Sequence, residues 1–268
     1  MARRRLVTLT TDLGSAYAAQ MKAVLYRALP PGHVVDIAHD LPAHGIDEAS
    51  FLLRHIGAAF PAGTVHVAVV DPGVGGSRAP VAVRCRDGTF LVGPDNGLLY
   101  PLAHHLGIAG VVRLDPGRVR PGGTVSATFE GRDVFAPAAA RLATGTRLPS
   151  LGRPHSLTAH PLPTPTRSGG WARGTVLHVD RFGNAITNLP TAWFPDTGGR
   201  VRLRLGRRSL TLPRRRTYSE LSRGALGILG SSFGTLEVSA REARAADRLR
   251  LAVGREVDLA PARASGRR

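Results

Sequence analysis

The residues from Thr64 to Val70 form an almost uninterrupted apolar run, rich in valine, which ends at Asp71-Pro72-Gly73. A strand of this composition has no polar face, so both of its faces must be buried. Helical spacing of apolar residues occurs twice before it in the chain, over Gln20 to Leu29 and over Asp47 to Phe60. Alternation of buried strands with helices predicts a mainly parallel sheet that is covered on both faces.

Other segments before residue 150 extend this α/β pattern. Four further runs have strand-like composition: Leu6 to Thr10, His33 to Ile37, Val81 to Cys85 and Phe90 to Val92. The last two flank a turn at Asp87-Gly88, and a helix is predicted from about Arg132 to Ala143. We therefore predict an α/β N-terminal domain over residues 1–150.

The composition changes after this domain. Residues 151–170 are rich in Pro, Ser, Thr and Gly, which is typical of a linker. Short strand-like runs at close spacing follow, over Thr175 to Val179, Ala185 to Leu189, Val201 to Leu205, Ser209 to Leu212, Ala225 to Leu229 and Leu236 to Ser239. They predict a small all-β, barrel-like C-terminal domain over residues 171–259, followed by a disordered tail over 260–268.

The formal net charge is +17, from 36 basic and 19 acidic residues. Lys22 is the only lysine, so arginine supplies the rest of the basic residues, and they are dispersed along the chain. Such a composition is typical of a GC-rich genome, and aromatic residues make up only 5% of the chain. A nucleic-acid binder therefore remains a minor alternative.

Several classes of protein are disfavoured. No apolar run approaches the ~18 residues that span a bilayer, and the run after Arg3-Arg4-Arg5 ends at Thr10, which is too short for an export signal. We therefore expect a cytoplasmic protein. The single cysteine, Cys85, excludes an internal disulfide, and no cluster has metal-ligand spacing, so we expect no metal site.

Polar residues follow apolar strands at four places, and ligands bind at such positions in open α/β sheets. The four stretches are Thr11 to Gly14, Asp71 to Arg78, Phe129 to Pro137 and Asp180 to Asn188. In the first, Asp12 comes directly after a strand. It is suited to binding a ribose diol or a metal, and equally to capping the helix that follows.

The second stretch contains a proline and three glycines, which predicts a tight loop whose backbone can approach a ligand closely. Arg78 would fold back onto Asp71, although an ordinary turn with an exposed ion pair is the alternative. In the third stretch Glu130, beside a glycine, can present its carboxylate to a cleft. Arg132 and Asp133 are expected to form a structural pair at the start of the helix.

The fourth stretch has two interpretations. Gly183-Asn184 is typical of a hairpin turn between two strands. The same segment offers the Asp180 carboxylate, the Phe182 ring and the Asn184 amide, which are the groups needed to hold a purine and an ammonium group. Both interpretations remain open from these residues alone.

Together these stretches resemble the S-adenosyl-L-methionine hydroxide adenosyltransferase family, the S-adenosylmethionine hydrolases related to fluorinase and chlorinase. Three further family motifs occur in order, at Gly93 to Leu99, Thr217-Tyr218 and Ser231 to Gly234. Each motif is weak alone, but the seven in sequence cover nearly the whole chain.

The resemblance implies hydrolysis of S-adenosyl-L-methionine to adenosine and L-methionine, by in-line attack of an activated water on C5′ and without a cofactor. It also implies a homotrimer, with each site formed by the N-terminal domain of one subunit and the C-terminal domain of its neighbour. The residues that it places in the site are Asp71, Arg78 and Glu130 for catalysis, and Asp12, Tyr17, Phe129, Gly131, Asp180, Phe182, Asn184, Tyr218 and Ser232 for substrate binding.

The family motifs also imply individual roles in binding. Asp71 and Arg78 would position and activate the water. Asp12 would hold the ribose hydroxyls, Asp180 would pair with the methionine ammonium, and Ser232 would contact its carboxylate end. Phe182 and Tyr218 would flank the faces of the adenine, and Asn184 would bind its edge.

The chain departs from the family pattern at one catalytic position. Family hydrolases usually have a histidine just before the Gly-Arg-Asp of the third motif, where this chain has Glu130. A non-catalytic protein that binds S-adenosylmethionine or adenosine is therefore the alternative. A halogenase is disfavoured, because halogenases have tyrosine in place of Asp71, and a carboxylate there would repel a halide. Halogenases also have an arginine in place of Phe233.

Overall fold

The structure is a computed structural model that describes residues 5–30, 32–195 and 198–262. The chain divides into two compact units, Met1–Leu162 and Pro163–Arg268. Among the described residues, none of the helices combines the length and the apolar character that crossing a bilayer requires.

A seven-stranded sheet forms the centre of the N-terminal unit. Its strands are β1 (Val7–Thr11), β2 (Val34–Ala38), β3 (Val65–Val69), β4 (Pro80–Cys85), β5 (Phe90–Pro94), β6 (Ile108–Leu114) and β7 (Gly152–Pro154). Their order across the sheet is β2-β1-β3-β5-β4-β6-β7. Strands β1 and β3 are buried along their whole length, β3 with a largely apolar composition and β1 with three buried threonines.

The sheet is mixed, so the prediction of a mainly parallel sheet is correct only for one half of it. Strands β2, β1, β3 and β5 are parallel neighbours, whereas β4 runs antiparallel to both β5 and β6, and β6 runs antiparallel to β7. The reason is the short turn at Asp87-Gly88, which joins β4 to β5 as a hairpin. A connection of this length can join only antiparallel strands.

Within the described residues, five helices accompany the sheet: α1 (Gly14–Tyr26), α2 (Ile46–Gly57), α3 (Tyr100–Leu106), α4 (Pro116–Val119) and α5 (Ala136–Ala143). Helices α1 and α5 pack against each other, and so do α2 and α3. A π-helical segment, Gly131–Phe135, leads directly into α5. This segment lies where the sequence predicts the first turn of an ordinary helix, and it begins one residue after Glu130.

Over residues 163–195 and 198–262, the C-terminal unit is all-β apart from one helix and short 3₁₀ turns, and its sheet has eight strands. They are β8 (Thr166–Ser168), β9 (Trp171–Val179), β10 (Ala185–Pro190), β11 (Arg200–Leu205), β12 (Arg208–Pro213), β13 (Leu226–Gly230), β14 (Thr235–Ala240) and β15 (Glu256–Pro261). The order is β12-β11-β15-β9-β10-β14-β13, and β8 pairs with β9. A bridge between Arg214 and Ile228 links the two ends, so the sheet is a nearly closed barrel. The helix is α6 (Ala245–Leu249).

Regular structure extends into both segments that the sequence predicts to be irregular. Within the predicted linker, β7 pairs with β6 and β8 pairs with β9, leaving residues 155–165 without helix or strand. At the other end, β15 continues to Pro261. Residues 263–268 of the predicted tail lie outside the described residues.

Candidate active site

Parallel strands bring acidic residues to one edge of the first sheet. Asp12 follows β1, and its backbone N–H donates to Val69 O of β3 at 3.4 Å. Asp71 follows β3 two residues later, and the Asn96 amide after β5 donates to Val70 O at 2.8 Å. Because carboxyl ends of neighbouring parallel strands meet at the same edge, this is the edge at which a ligand is expected.

The loop after β3 folds so that Arg78 returns to Asp71. Arg78 Nε donates to Asp71 Oδ1 at 3.0 Å, and Arg78 Nη2 donates to Asp71 Oδ2. Both side chains are nearly buried, at 10% and 6% exposed, so this pair is not the exposed surface pair of the alternative interpretation. Gly75 has φ +75°, and a Cβ there would lie 2.7 Å from Ala127 O, so the loop needs glycine at this point.

Glu130 joins this pair from a distant part of the chain. Its Oε2 lies 2.6 Å from Arg78 Nη1, and its side chain is 18% exposed. The ring of Phe135 lies under the guanidinium, with its centroid 5.7 Å from Arg78 Cζ. Asp71, Arg78 and Glu130 thus form one cluster, which we call the carboxylate–arginine cluster.

The charge of Arg78 is secured by its neighbours. Burial works against the protonated form, but hydrogen bonding and charge from Asp71 and Glu130 outweigh it, so the pKa of Arg78 is raised above its usual value. A permanently charged guanidinium between two carboxylates is suited to holding them a fixed distance apart. It can also stabilise negative charge that develops beside it.

The segment that carries Glu130 is anchored by a buried acid. Asp133 is 1% exposed and accepts from Arg132 Nε at 2.9 Å, from Arg120 Nη1 at 2.6 Å and from Ser126 N at 2.9 Å. The hydrogen bond from Arg132 is the main cause that lowers the pKa of Asp133, to about 2. The predicted structural pair of Arg132 and Asp133 is confirmed.

Helix α1 supplies the aromatic side of this site. The Tyr17 ring meets the Phe129 ring edge-on, with centroids 5.2 Å apart, and Tyr17 is 54% exposed. A Cβ at Gly131 would lie 3.2 Å from Met21 Sδ and 3.2 Å from Phe129 Cε2, so α1 packs closely against the start of the π-helical segment. Tyr17, Phe129 and Gly131, all predicted from the resemblance, therefore lie together.

Asp12 does not cap α1, because no side-chain cap is formed there and the residue before the helix is Leu13. Its Oδ2 instead accepts from the backbone N–H of His44 at 3.1 Å. Of the two roles that the sequence left open, helix capping is therefore excluded. The carboxylate lies at the edge of the sheet with capacity for a further donor.

A second site lies in the C-terminal unit, in a cavity of about 660 Å³. It is lined by Asp180, Arg181, Phe182, Asn184, Tyr218, Ala240, Glu242, Ala243 and Arg244. Phe182 and Tyr218 are 67% and 44% exposed. Large exposed aromatic rings beside a cavity of this size are typical of a ligand site, and we call it the aromatic pocket.

Ser232 is not part of this pocket. It lies in the turn between β13 and β14, where Thr235 pairs with Pro190 at the end of β10. Asp180 lies at the other end of β10, where Ala185 pairs with Val238. At ~3.3 Å per residue, the length of β10 separates the two places by roughly 16 Å. Within one chain, Asp180 and Ser232 therefore lie near opposite ends of β10.

Glu237, which contacts the pocket residue Tyr218, was not identified from the sequence. It is 4% exposed, and its Oε1 accepts from Tyr218 Oη at 2.6 Å and from Ser239 Oγ at 2.8 Å. The available signal was a carboxylate inside the otherwise apolar and hydroxylic strand β14. A buried acid needs partners, and here these include a tyrosine of the pocket.

Comparisons with known proteins agree with both units. The chain matches the SAM hydroxide adenosyltransferase N-terminal domain over residues 7–152 and the C-terminal domain of the same family over residues 174–258. An (R)-S-adenosyl-L-methionine hydrolase of Thermus thermophilus is 41% identical over 269 residues, covering 95% of this chain and 99% of that protein. One of Salinispora tropica is 36% identical over 268 residues, covering 95% and 97%.

A solved structure of an uncharacterized conserved protein from Thermotoga maritima has a TM-score of 0.88 at 30% identity, covering 95% of this chain and 100% of that one. Fold and sites define a two-domain protein with a buried carboxylate–arginine cluster on an α/β unit and an aromatic pocket on a barrel-like unit. The chain belongs to the SAM hydroxide adenosyltransferase family, which confirms the resemblance seen in its motifs.

Proposed function

We propose that this chain hydrolyses S-adenosyl-L-methionine to adenosine and L-methionine. The observation that carries the proposal is the carboxylate–arginine cluster, in which Arg78 holds both Asp71 and Glu130 at the ligand edge of the sheet. The Thermus and Salinispora hydrolases match 95% of the chain, a share that reaches into both units.

The reaction makes limited demands on the protein. The sulfonium leaves as the neutral thioether of methionine, so no general acid is needed. The water oxygen forms a bond to C5′ while the C5′–S bond breaks, its electron pair goes to sulfur, and the water gives up one proton. The site must hold water and C5′ in line with the leaving sulfur. This step needs neither a metal nor a redox cofactor.

The carboxylate–arginine cluster supplies the groups that activate the water. Asp71 accepts the proton of the attacking water, and Glu130 takes the place that histidine has in family hydrolases, as a second acceptor. Arg78 keeps both carboxylates in position and stabilises the developing hydroxide. On the ligand, Asp12 holds the ribose hydroxyls, and Tyr17, Phe129 and Gly131 form the adjacent wall.

The aromatic pocket takes the purine. Phe182 and Tyr218 flank the ring faces, and Asn184 binds the ring edge. Ser232 lies at the opposite end of β10 and β14 from Asp180, and it contacts the amino-acid end of the same elongated ligand. We further propose a homotrimer, in which each complete site uses the cluster of one subunit and the pocket of its neighbour.

The proposal is tested by incubating the purified protein with S-adenosyl-L-methionine in ¹⁸O-water and identifying the products by mass spectrometry. Equal amounts of adenosine and methionine, with the label in the 5′-hydroxyl, are expected. Arg78→Ala serves as the inactive control. Formation of 5′-chloroadenosine in chloride buffer would instead indicate a halogenase, and ligand binding without turnover would indicate a binding protein.

A further inference from the structure

The amide of Asn184 is held by two oxygens at the wall of the aromatic pocket. Asn184 is 4% exposed, and its Nδ2 donates to Asp180 Oδ2 at 2.9 Å and, more weakly, to Tyr218 Oη at 3.4 Å. An amide nitrogen carries only two hydrogens, so both are used by these contacts.

Asp180 cannot turn away from this arrangement. Its Oδ1 accepts from the backbone N–H groups of Phe182 and Asn184, each at 2.9 Å. These two bonds orient the carboxylate and direct Oδ2 at the Asn184 side chain. An ionised carboxylate only accepts hydrogen bonds, so Asn184 must present nitrogen, not oxygen, on this side.

Tyr218 is fixed as an acceptor by Glu237. The Tyr218 hydroxyl has a single hydrogen, and it is donated to Glu237 Oε1 at 2.6 Å. Ser239 Oγ donates to the same oxygen at 2.8 Å, which holds that carboxylate in place. The Tyr218 oxygen therefore offers only lone pairs to Asn184, and it too requires nitrogen there.

One polar atom of Asn184 is left over. Among the contacts of the described residues its Oδ1 has no hydrogen-bond donor, and Asn184 lines the cavity. A fixed acceptor in a pocket favours a ligand group that donates and penalises one that also accepts. On a purine the 6-amino group donates, whereas a 6-oxo group accepts.

We propose that Asp180 and Glu237 are positioning residues that hold the Asn184 amide with its oxygen toward the ligand, so that the pocket selects 6-amino over 6-oxo purines. The inference rests on the proposed function for the placement of a purine in this pocket.

The test measures the dissociation constants of adenosine and inosine by calorimetry on the full chain, without turnover. The wild type is expected to bind adenosine about 10- to 100-fold more tightly than inosine. In Asp180→Asn, the two backbone N–H groups keep the new side-chain oxygen at the Oδ1 position, so its NH₂ faces Asn184. The Asn184 amide must then turn over, and the preference is expected to fall at least about tenfold.

Glu237 is tested with two variants. Glu237→Leu frees the Tyr218 hydroxyl and is expected to reduce the preference for adenosine, whereas Glu237→Gln keeps an accepting oxygen and retains it within about threefold. Tyr218→Phe, which keeps the ring, is expected to reduce the preference as well. Glu256→Gln removes an exposed carboxylate of the same unit and serves as the matched control.

The outcomes separate this inference from the proposed function. Nucleoside preference is measured without catalysis, so a protein that fails to hydrolyse S-adenosylmethionine can still show it. Equal weakening of adenosine and inosine in Asp180→Asn would overturn the inference, since a merely structural role affects both alike. A wild type with no preference, or with no affinity for either nucleoside, would overturn it as well.

Discussion

Arg78 contacts Asp71 through Nε and Nη2 and contacts Glu130 through its remaining nitrogen, with 2.6 Å between Arg78 Nη1 and Glu130 Oε2. All three guanidinium nitrogens are therefore engaged by carboxylates. The planar fork of arginine makes this possible, because it directs donors to two sides at once. The relative position of the two acids depends on this one residue.

Arg78→Lys should consequently lose most of the activity, because a lysine is a single point of charge and cannot hold both acids. We expect kcat for adenosine release to fall by about 10²-fold or more. Arg84→Lys is the matched control, since Arg84 is exposed on the neighbouring strand β4. Retention of full activity by Arg78→Lys would show that the geometry of the pair is not needed.

Glu130→Gln removes a proton acceptor but keeps the shape of the side chain. If Glu130 replaces the family histidine, kcat should fall by about tenfold or more, with KM within about threefold. Glu130→His should retain activity. An unchanged rate in Glu130→Gln would mean that Asp71 works alone. If the wild type is inactive and Glu130→His gains turnover, the alternative that this chain binds its ligand without hydrolysing it is supported.

Assembly can be tested by complementation. In the proposed trimer, Asp71→Ala disables the cluster and Asn184→Ala disables the pocket, each on a different side of a shared site. When the two inactive variants are mixed and exchange subunits, part of the activity should be restored through hybrid sites. Light scattering should give three times the chain mass. A fully active monomer would contradict the prediction.

Asp133 predicts acid sensitivity. Its pKa is lowered from 3.8 to about 2 in the folded protein, so its contribution to stability is present above pH 3.8 and is lost as the pH falls through about 2. Asp133→Asn should reduce the free energy of unfolding at pH 7 by up to about 2 kcal/mol. The difference from the wild type should shrink toward pH 2 in denaturant titrations, with exposed Asp247→Asn as the control.

Protonation of His66 affects the stability of the fold in a different pH range. Burial lowers its pKa from 6.5 to about 4, and its Nδ1 lies 2.7 Å from Thr8 Oγ1 in the core. The unfolded chain binds a proton at His66 below pH 6.5 and the folded chain does not, so stability is lost as the pH falls from 6.5 to about 4. The loss is about 3 kcal/mol at most. His66→Gln should show a flatter profile across this range.

Local features of the sequence predicted the parts of the structure that depend on local forces. The valine-rich run before Asp71 is a fully buried strand, because a segment without a polar face has no alternative. The Asp71–Arg78 contact could be predicted because a short loop of proline and glycines returns the chain on itself. The family motifs placed Glu130 in the same site, because it stands where family hydrolases usually have a histidine.

Features that depend on distant contacts could not be predicted in this way. The antiparallel half of the sheet includes β6, which was missed because it is partly exposed and contains a glycine. Glu130 reaches Arg78 from a segment far away in the sequence, in which Ala127 O lies close to Gly75. The Tyr218–Glu237 hydrogen bond joins residues 19 positions apart on separate elements, and neither residue type alone indicates it.

The π-helical segment after Glu130 has a consequence for how such a site arises. The backbone N–H of Ala136 bonds to Gly131 O, five residues earlier, so this turn contains one residue more than a regular helix needs. Deletion of a single residue between Gly131 and Phe135 would restore the ordinary ladder and rotate the preceding chain by about 100° about the helix axis. Glu130 would then leave Arg78, although its codon would be unchanged. The third member of the cluster therefore depends on the length of this turn as well as on the residue at position 130.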